Sequence, residues 1–318
     1  MQDRTLTGKL RALSLCHEEE TTSARRADII QLLTEPHIYH LLRCSLLMPE
    51  LPEVETVCRG LAPHLENHTL LGARVRQPRL RWPVQAELDQ LTRGQRIHQL
   101  SRRGKYLLAR LDHGGLIMHL GMSGSLRLCN ISVEPEKHDH LDLLLDNDCV
   151  LRYRDPRRFG ALIWSQDPSQ HPLIAHLGVE PLTADFNGNS LHALCQNKKT
   201  AIKSLLMDAS LIVGVGNIYA NESLFHAGID PRIAAGKLSR PRCARLVDAV
   251  QETLAKAIAA GGSTLRDFVD GHGNPGYFQQ GYFVYGRTGE TCHACGAGIR
   301  LIRQNNRSSF FCPHCQRR

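Results

Sequence analysis

The chain has 318 residues, of which 42% are hydrophobic and 22% charged, a composition typical of globular rather than disordered or fibrous proteins. Its length suits two ordinary domains, because single cores stop growing near about 250–300 residues. It contains no apolar run of about 18 residues, which excludes a transmembrane helix, and its charged first residues do not resemble a secretory signal. The net charge of +8 favours a polyanionic partner, and we expect a cytoplasmic location without a membrane partner.

From Met48 onward the pattern predicts regular elements. Apolar residues recur at helical spacing over residues 51–65, which predicts an amphipathic helix. Residues 70–165 are typical of strands, with runs at 105–111 and 116–120 around one turn and runs at 140–145 and 149–153 around another. Several short strands at this spacing predict a β-sandwich or a similar pair of sheets.

A segment containing Gly and Pro at Leu177–Leu182 predicts a domain boundary, and the pattern beyond it is helical. Helices are expected at 200–207, 218–227 and 243–260, the last one stopped by Gly261 and Gly262. The glycine-rich polar segment Asp270–Gln280 is predicted to be a loop. We therefore expect domains at residues 48–180, 181–285 and 286–318.

Four cysteines near the end have the spacing of a zinc site. Two pairs, each with two intervening residues, are separated by sixteen residues, and the ligands are Cys292, Cys295, Cys312 and Cys315. Four thiolates leave no open coordination position, so one structural Zn²⁺ is predicted rather than a catalytic one. Six arginines and one acid lie between residues 286 and 318, which suits contact with phosphate, and Arg307 is expected near the tip of a zinc-held hairpin.

Four further motifs precede the cysteines in order. They are Met48-Pro49-Glu50-Leu51-Pro52-Glu53-Val54-Glu55-Thr56, Gly104-Lys105-Tyr106, Asp155-Pro156-Arg157-Arg158-Phe159-Gly160 and Val213-Gly214-Val215-Gly216-Asn217-Ile218-Tyr219. From Met48 to the end, the chain resembles the bacterial formamidopyrimidine-DNA glycosylases, which remove 8-oxoguanine and ring-opened purines. The resemblance implies an α+β fold: an N-terminal two-layer β-sandwich with flanking helices, then a helix–two-turn–helix domain with a zinc finger. It also implies a monomer whose partner is double-stranded DNA with damaged bases.

The resemblance assigns the covalent chemistry to four residues. Pro49 would attack C1′ of the damaged nucleotide with a terminal secondary amine, and the resulting iminium would permit β- and then δ-elimination. Glu50 would act as general acid and base around opening of the sugar. Lys105 would contact phosphate and assist proton transfer, and Arg307 would grip phosphate and assist the second elimination.

Other positions match family residues that hold DNA. The base must leave the stack, and Met122, Arg157 and Phe159 match the residues that fill the void and read the orphaned base. The positions that match family phosphate contacts are His138, Lys198, Lys203 and Asn217. Asn217 is expected to open a helix whose first N–H groups point at an anion site, and residues 271–280 resemble the loop over the flipped base.

One feature departs from the family pattern. Residues 1–47 carry six basic and six acidic residues, no recognisable motif and no resemblance to the family. A proline within a chain has no nucleophilic nitrogen, so the expected chemistry requires Pro49 to be the first residue. We expect Met48 to be the true start and to be removed; removal of the leader by processing, or an enzyme that binds lesions without cutting, are the alternatives.

Two rival functions stay open on sequence alone. An endonuclease VIII-type glycosylase for oxidised pyrimidines belongs to the same superfamily, although the segment Asp155–Gly160 favours the purine-lesion branch. A non-catalytic zinc-containing DNA-binding protein would use the same basic hairpin and leave Pro49 and Glu50 without a role.

Overall fold

The computed structural model describes residues 48–261 and 281–318. The leader at 1–47 and the predicted loop at 270–280 lie outside the described residues. None of the helices within these two ranges is long and apolar enough to cross a bilayer.

The first part of the fold is a helix followed by two antiparallel sheets, as the strand pattern predicted. Helix α1 (Leu51–Leu65) precedes β1 (Leu70–Val75), and a short helix α2 (Leu88–Thr92) packs on β1. The remaining strands are β2 (Ile97–Arg103), β3 (Tyr106–Leu111), β4 (Gly115–His119), β5 (Ser125–Asn130), β6 (Asp139–Leu145), β7 (Cys149–Arg154) and β8 (Ala161–Ser165). Within the described residues, one sheet has the order β1-β6-β7-β5 and the other β2-β3-β4-β8.

Alternating apolar residues of both sheets form a shared core. Leu107, Leu116, Leu143 and Tyr153 are at most 1% exposed and belong to one cluster with the inner face of α1. Burial of this apolar surface is the main stabilising contribution to a sandwich. The predicted β-sandwich with a flanking helix is thereby confirmed.

The second part is helical, with a core of its own. Its helices are α3 (Pro172–Ala175), α4 (Gly188–Cys195), α5 (Ile202–Leu206), α6 (Asn217–His226) and α7 (Arg240–Ala259). Helix α7 starts three residues before the predicted 243, because Pro241 is compatible with a first helical turn, and it ends before Gly261 at φ +80°. Helix α4 was not predicted from the sequence.

A two-stranded hairpin ends the chain. Strands β9 (Arg300–Gln304) and β10 (Arg307–Phe311) pair antiparallel. Asn305 and Asn306 form the turn at φ +48° and +60°, the left-handed geometry of tight hairpin turns that asparagine tolerates. Arg307 is therefore the first residue after the tip, as predicted.

The start of α1 joins the sandwich to the helical part. Leu51 belongs to the core of the helical part, whereas Val54 and Val57 belong to the sandwich core. The N–H of Leu51 donates to the carbonyl of Gly214 at 3.2 Å. Because of this docking, Pro49 and Glu50 lie where the two parts meet.

Candidate active site and nucleic-acid interface

The carboxylate of Glu50 is buried at the first turn of α6. It is 4% exposed, and its Oε1 and Oε2 accept hydrogen bonds from the N–H groups of Ile218 and Tyr219 at 2.9 and 3.4 Å. A side chain at Gly216 would overlap this carboxylate, so the glycine is required by close packing. The glycine-containing motif before α6 thus makes room for Glu50.

This arrangement corrects one expectation. The N-terminus of α6 does point at an anion, as predicted, but the anion is the protein's own Glu50 and not a DNA phosphate. Asn217 is half-buried, and its Oδ1 is buried without a hydrogen-bond partner among the described residues. A phosphate requires donors, so the Nδ2 group of Asn217 would have to make any contact with one.

A second buried carboxylate, Glu53, orients the backbone at Glu50. Glu53 is 1% exposed; its Oε2 accepts the N–H of Glu50 at 2.9 Å and its Oε1 accepts the hydroxyl of Tyr219 at 2.7 Å. Burial, with Glu53 beside it, raises the pKa of the Tyr219 hydroxyl, which keeps it a donor. Neither role was predicted from the sequence, although Glu53 belongs to the motif Met48–Thr56.

Lys105 lies close to Glu50, and Arg307 lies close to Lys105. Lys105 lies in the turn between β2 and β3 and is half-buried, and Arg307 on the hairpin is exposed. Burial lowers the pKa of Lys105, with Arg307 acting in the same direction and Glu50 and Glu53 opposing it. Burial raises the pKa of Glu50, and Lys105 is the largest opposing influence. Glu50 and Lys105, two of the predicted catalytic residues, therefore influence each other's charge; Arg307 acts on Lys105, and Pro49 immediately precedes Glu50 in the chain.

Lys203 does not have the surface position expected of a phosphate contact. It is 2% exposed, and its Nζ donates to the carbonyl of Ser308 at 2.6 Å and to Oγ of Ser309 at 2.8 Å. Burial, together with the charge of Arg307, lowers its pKa to about 7. Lys203 therefore fastens the hairpin to the helical part beside Arg307.

Glu180 holds the backbone of the residue that precedes Lys105. The Glu180 carboxylate accepts the N–H of Gly104 at 2.6 Å and receives the guanidinium groups of Arg102 and Arg103 at 3.0 and 3.1 Å. Gly104 has φ +58° and packs against Val213, so a side chain there would be both strained and crowded. The sequence motif named Gly104 and Lys105 but not the acid that anchors them.

The predicted void-filling residues lie on two adjacent loops. Met122 is half-buried, whereas Arg157 and Phe159 are exposed, the latter by 44%, with the guanidinium 4.9 Å from the Phe159 ring. The exposed Phe159 ring and the neighbouring Arg157 are therefore both accessible on the arginine-bearing loop. His138 is half-buried at the residue before β6, and Lys198 is exposed after α4.

The four predicted zinc ligands come together. The Sγ atoms of Cys292, Cys295, Cys312 and Cys315 all lie within 4.8 Å of one another, and two of the pairs are 3.9 and 3.5 Å apart. Four sulfurs at about 2.3 Å from a tetrahedral zinc ion would be about 3.8 Å apart. The donor set and spacing fit one structural zinc ion. Cys292 and Cys312 also pack in a small core with Val284, Ile299 and Phe310.

The fold consists of a sandwich, a helical part and a four-cysteine hairpin, with the buried carboxylate of Glu50 and the neighbouring Lys105 near the junction of the first two. These features define the class of helix–two-turn–helix DNA glycosylases. Three family models match: the formamidopyrimidine-DNA glycosylase N-terminal domain at residues 48–162, the H2TH domain of the same enzyme at 177–269, and the zinc finger found in FPG and IleRS at 289–318. The chain belongs to the formamidopyrimidine-DNA glycosylase family.

Similar proteins cover the same part of the chain. Formamidopyrimidine-DNA glycosylases of Methylococcus capsulatus and Stutzerimonas stutzeri are 53% and 54% identical over 271 and 270 residues, which is 85% of this chain and 100% of each relative. A Lactococcus lactis FPG mutant solved with Fapy-dG-containing DNA has a TM-score of 0.77 at 36% identity, covering 85% of this chain and all of its own. The FPG protein of Thermus thermophilus has a TM-score of 0.74 at 39% identity, covering 84% and 98%.

Proposed function

We propose that this chain excises oxidised purines, 8-oxoguanine and formamidopyrimidines, from double-stranded DNA and then cleaves the strand at the resulting site as an AP lyase. The observation that carries the proposal is the buried carboxylate of Glu50, which directly follows Pro49, is fixed at the first turn of α6 and has Lys105 close by. Relatives are named for formamidopyrimidine-DNA excision, and one similar structure holds an abasic-site DNA. We propose that the protein acts as a monomer.

The nitrogen of Pro49 is the proposed nucleophile. An α-amino group titrates near about pH 7.7–8.0, so part of it is neutral at cellular pH. Its lone pair forms a bond to C1′ while the glycosidic bond breaks. The base leaves with the electron pair of the glycosidic bond and takes up the proton that the nitrogen loses. The sugar ring opens as O4′ takes a proton, and the C1′–nitrogen bond becomes an iminium.

Glu50 is the proposed donor of the proton to O4′. Burial raises the pKa of Glu50 despite the N–H groups that hold the carboxylate, and a carboxyl group with a raised pKa is suited to general acid catalysis near neutral pH. The hydrogen bond from the Glu50 N–H to Glu53 holds the backbone that carries both Pro49 and the acid. Glu53 and Tyr219 are therefore positioning residues in this proposal.

Lys105 and Arg307 take part in strand cleavage. The iminium acidifies the C2′ proton; its loss drives breakage of the C3′–O3′ bond, and a second proton loss leads to breakage of C5′–O5′. Burial lowers the pKa of Lys105, which makes its amine a better proton-transfer group than an ordinary lysine. Arg307 is exposed at the start of β10 and always charged, which suits a grip on the departing phosphate.

Met122, Arg157 and Phe159 are the proposed void-filling residues, and His138 and Lys198 the proposed phosphate contacts. A thioether and an aromatic ring suit insertion between base steps, and a guanidinium suits the edge of an orphaned base. Asn217 would contact phosphate through its amide nitrogen, and Lys203 holds the hairpin instead of a phosphate. Residues 48–180, 181–285 and 286–318 are the proposed domains.

The chemistry requires that the active form begin at Pro49. Full-length relatives match 271 residues of this chain, which is the length of the segment 48–318. We propose that translation from Met48 and removal of that methionine produce the enzyme. Residues 1–47 have no role in this proposal.

The test compares three purified chains: one that retains residues 1–47, one that starts at Met48, and one that starts at Met48 with a glycine inserted before Pro49. Mass spectrometry establishes each N-terminus, and borohydride trapping on 8-oxoguanine DNA measures the covalent complex. The Met48 chain should trap, and both blocked chains should trap at least about 100-fold more slowly because the nucleophile is lost or displaced. The glycine insertion separates blockage of Pro49 from the bulk of the leader.

Equal trapping by the intact long chain would refute the role of Pro49. Excision of thymine glycol in preference to 8-oxoguanine opposite cytosine would instead support the oxidised-pyrimidine alternative. DNA binding by the Met48 chain without nicking would support a non-catalytic binding protein.

A further inference from the structure

A fully buried carboxylate lies behind the two loops that carry Met122, Arg157 and Phe159. Asp155 follows β7 and is 0% exposed. Its Oδ1 accepts the hydroxyl of Ser123 at 2.6 Å, and its Oδ2 accepts the N–H of Gly160 at 2.8 Å. The hydroxyl of Tyr153 adds a longer contact of 3.4 Å to Oδ2. One side chain thus joins residues 123 and 160, which belong to different loops.

We call residues 120–124 the methionine loop and residues 155–160 the arginine loop. Their backbones touch directly, because a side chain at Gly121, which has φ +64°, would overlap Phe159 and Gly160. The N–H of Arg157 donates to Oγ of Ser123 at 3.1 Å and lies 3.3 Å from Oδ1 of Asp155. The pair of loops therefore forms one unit with Asp155 at its centre.

The backbone of Asp155 adds a third DNA-facing element. Its N–H donates to the carbonyl of His138 at 3.1 Å, and its carbonyl bonds Nε2 of His140 at 2.7 Å. His138 has φ +88°, a backbone conformation that residues other than glycine adopt only when their surroundings impose it. The bond from Asp155 helps to impose it, so the position of His138 depends on the same residue.

We infer that Asp155 is a positioning residue for base extrusion. Its side chain fixes Met122, Arg157 and Phe159 relative to one another before DNA binds, so that thioether, ring and guanidinium meet the duplex as a preassembled wedge, and its backbone holds the phosphate contact His138 beside them. Preorganisation removes the cost of ordering these loops on the DNA. The inference rests on the proposed function, because the wedge has a task only if a base is flipped.

A carboxylate suits this position and an amide does not. The donors around Asp155 approach both of its oxygens, and a carboxylate accepts at both, whereas an asparagine has one acceptor oxygen and turns an NH₂ group toward the remaining donors. Asp155→Asn preserves size and shape but breaks one side of the bridge. Asp142→Asn is the matched control: Asp142 is 3% exposed in the same sandwich and binds Arg76 and Arg152 at 2.7 and 2.9 Å, and its hydrogen bonds do not reach either loop.

The experiment measures single-turnover excision by chains that start at Met48, on two duplexes. One holds 8-oxoguanine opposite cytosine, and the other holds it opposite a tetrahydrofuran abasic analogue, where no partner base has to be separated or read. Asp155→Asn should lower the rate at least about tenfold on the first duplex and less than about threefold on the second, because it acts through the wedge. Asp142→Asn should change neither rate by more than about twofold per folded molecule, with melting curves reporting the folded fraction.

A double-mutant cycle with Met122→Ala gives a second readout. If Asp155 acts by positioning the wedge, Asp155→Asn should cost much less in the Met122→Ala background than in the wild-type chain. Should Asp155→Asn fail to fold, Ser123→Ala removes one arm of the bridge from a half-buried site and should produce the same pattern at smaller amplitude.

Three results would overturn the inference: an unchanged rate in a folded variant, equal losses on both duplexes, or losses that multiply with Met122→Ala. A wild-type Met48 chain that leaves 8-oxoguanine intact in both duplexes would instead overturn the proposed function, and this inference with it.

Discussion

Lys203 provides a prediction about how the hairpin is attached to the rest of the molecule. Lys203 is 2% exposed, and its Nζ donates to the carbonyl of Ser308 and the hydroxyl of Ser309. Lys203→Met keeps the length of the side chain and removes both the donors and the charge. Leaving a buried acceptor unpaired costs about 1–3 kcal/mol, so the variant should be less stable than the wild type at mildly alkaline pH.

The pH dependence has a definite sign and size. Burial lowers the pKa of Lys203 to about 7 from its ordinary 10.5, so between these values the unfolded chain binds a proton that the folded protein does not. Stability rises with pH wherever the unfolded state binds more protons. The cost of the buried charge is complete below pH 7 and is relieved as the pH rises toward 10.5. The slope is about 1.4 kcal/mol per pH unit, or about 2 kcal/mol between pH 7.5 and 9.

Urea unfolding of the zinc-loaded wild type and Lys203→Met, at several values between pH 7.5 and 9, measures this difference. Titration of the cysteines and of every other group is common to both chains, so it cancels in the difference of unfolding free energies. Lys256→Met, at an exposed lysine that pairs with Glu252 at 2.6 Å, serves as the control for removing a lysine. A difference between wild type and Lys203→Met that stays constant over this pH range would refute the claim that the buried ammonium is destabilised by its surroundings.

Two further predictions concern the groups around Lys105 and the hairpin. Glu180→Gln weakens the hydrogen bond to Gly104 and the ion pair with Arg103. Strand cleavage at abasic DNA should therefore slow about tenfold, whereas duplex affinity, measured by fluorescence anisotropy, should change less than about twofold. An unchanged cleavage rate would show that Lys105 does not depend on Glu180. Chelation of zinc removes the ion that holds Cys292, Cys295, Cys312 and Cys315 together. The hairpin should then unfold, and duplex affinity should fall at least about tenfold because the contact of Arg307 with DNA is lost. Affinity should recover when zinc is restored. Retained affinity in a chain shown to be metal-free would contradict the second prediction.

Local patterns in the sequence predicted those parts of the fold that depend on local interactions. The helix at 51–65 follows from apolar periodicity, the hairpins from turn residues between strands, and the zinc site from two short cysteine spacings, because in each case the partners are near in sequence. Helix α4 was missed because it has only eight residues, Gly188–Cys195, which is too short for a reliable helical period. Its start is nevertheless marked by Asn187, whose side chain accepts the N–H groups of residues 189 and 190.

The contacts that build the site could not be predicted in the same way. Glu50 meets the N–H of Ile218 across 168 positions, and Lys203 meets Ser309 across 106. In the sequence, Lys203 has the same appearance as any lysine on a helix, and only the docked hairpin buries it. The resemblance to a family identified the residues of the site. Only the fold shows that the anion at the start of α6 is the carboxylate of Glu50.

Several carboxylates of this molecule are buried, whereas the arginines proposed to contact DNA are exposed. Glu50, Asp155 and Glu222 are at most 4% exposed, whereas Arg157 and Arg307 are exposed; Lys203, which holds the hairpin, is buried like the acids. Glu50 and Glu222 accept backbone N–H groups from distant segments, Glu222 those of residues 283, 284 and 285 at 2.8, 3.0 and 2.8 Å. Asp155 accepts the hydroxyl of Ser123 from another loop and the N–H of Gly160 from its own.

A buried carboxylate bound in this way compensates its own desolvation with charge-assisted hydrogen bonds and fixes the geometry of the segment it holds. The same acid is kept away from the surface, where it would repel phosphate. An excess of only eight positive charges over the whole chain can therefore present a more strongly cationic face to DNA than the composition alone indicates. The acids act as internal anchors, and the cations they leave exposed are available to bind the backbone of the duplex.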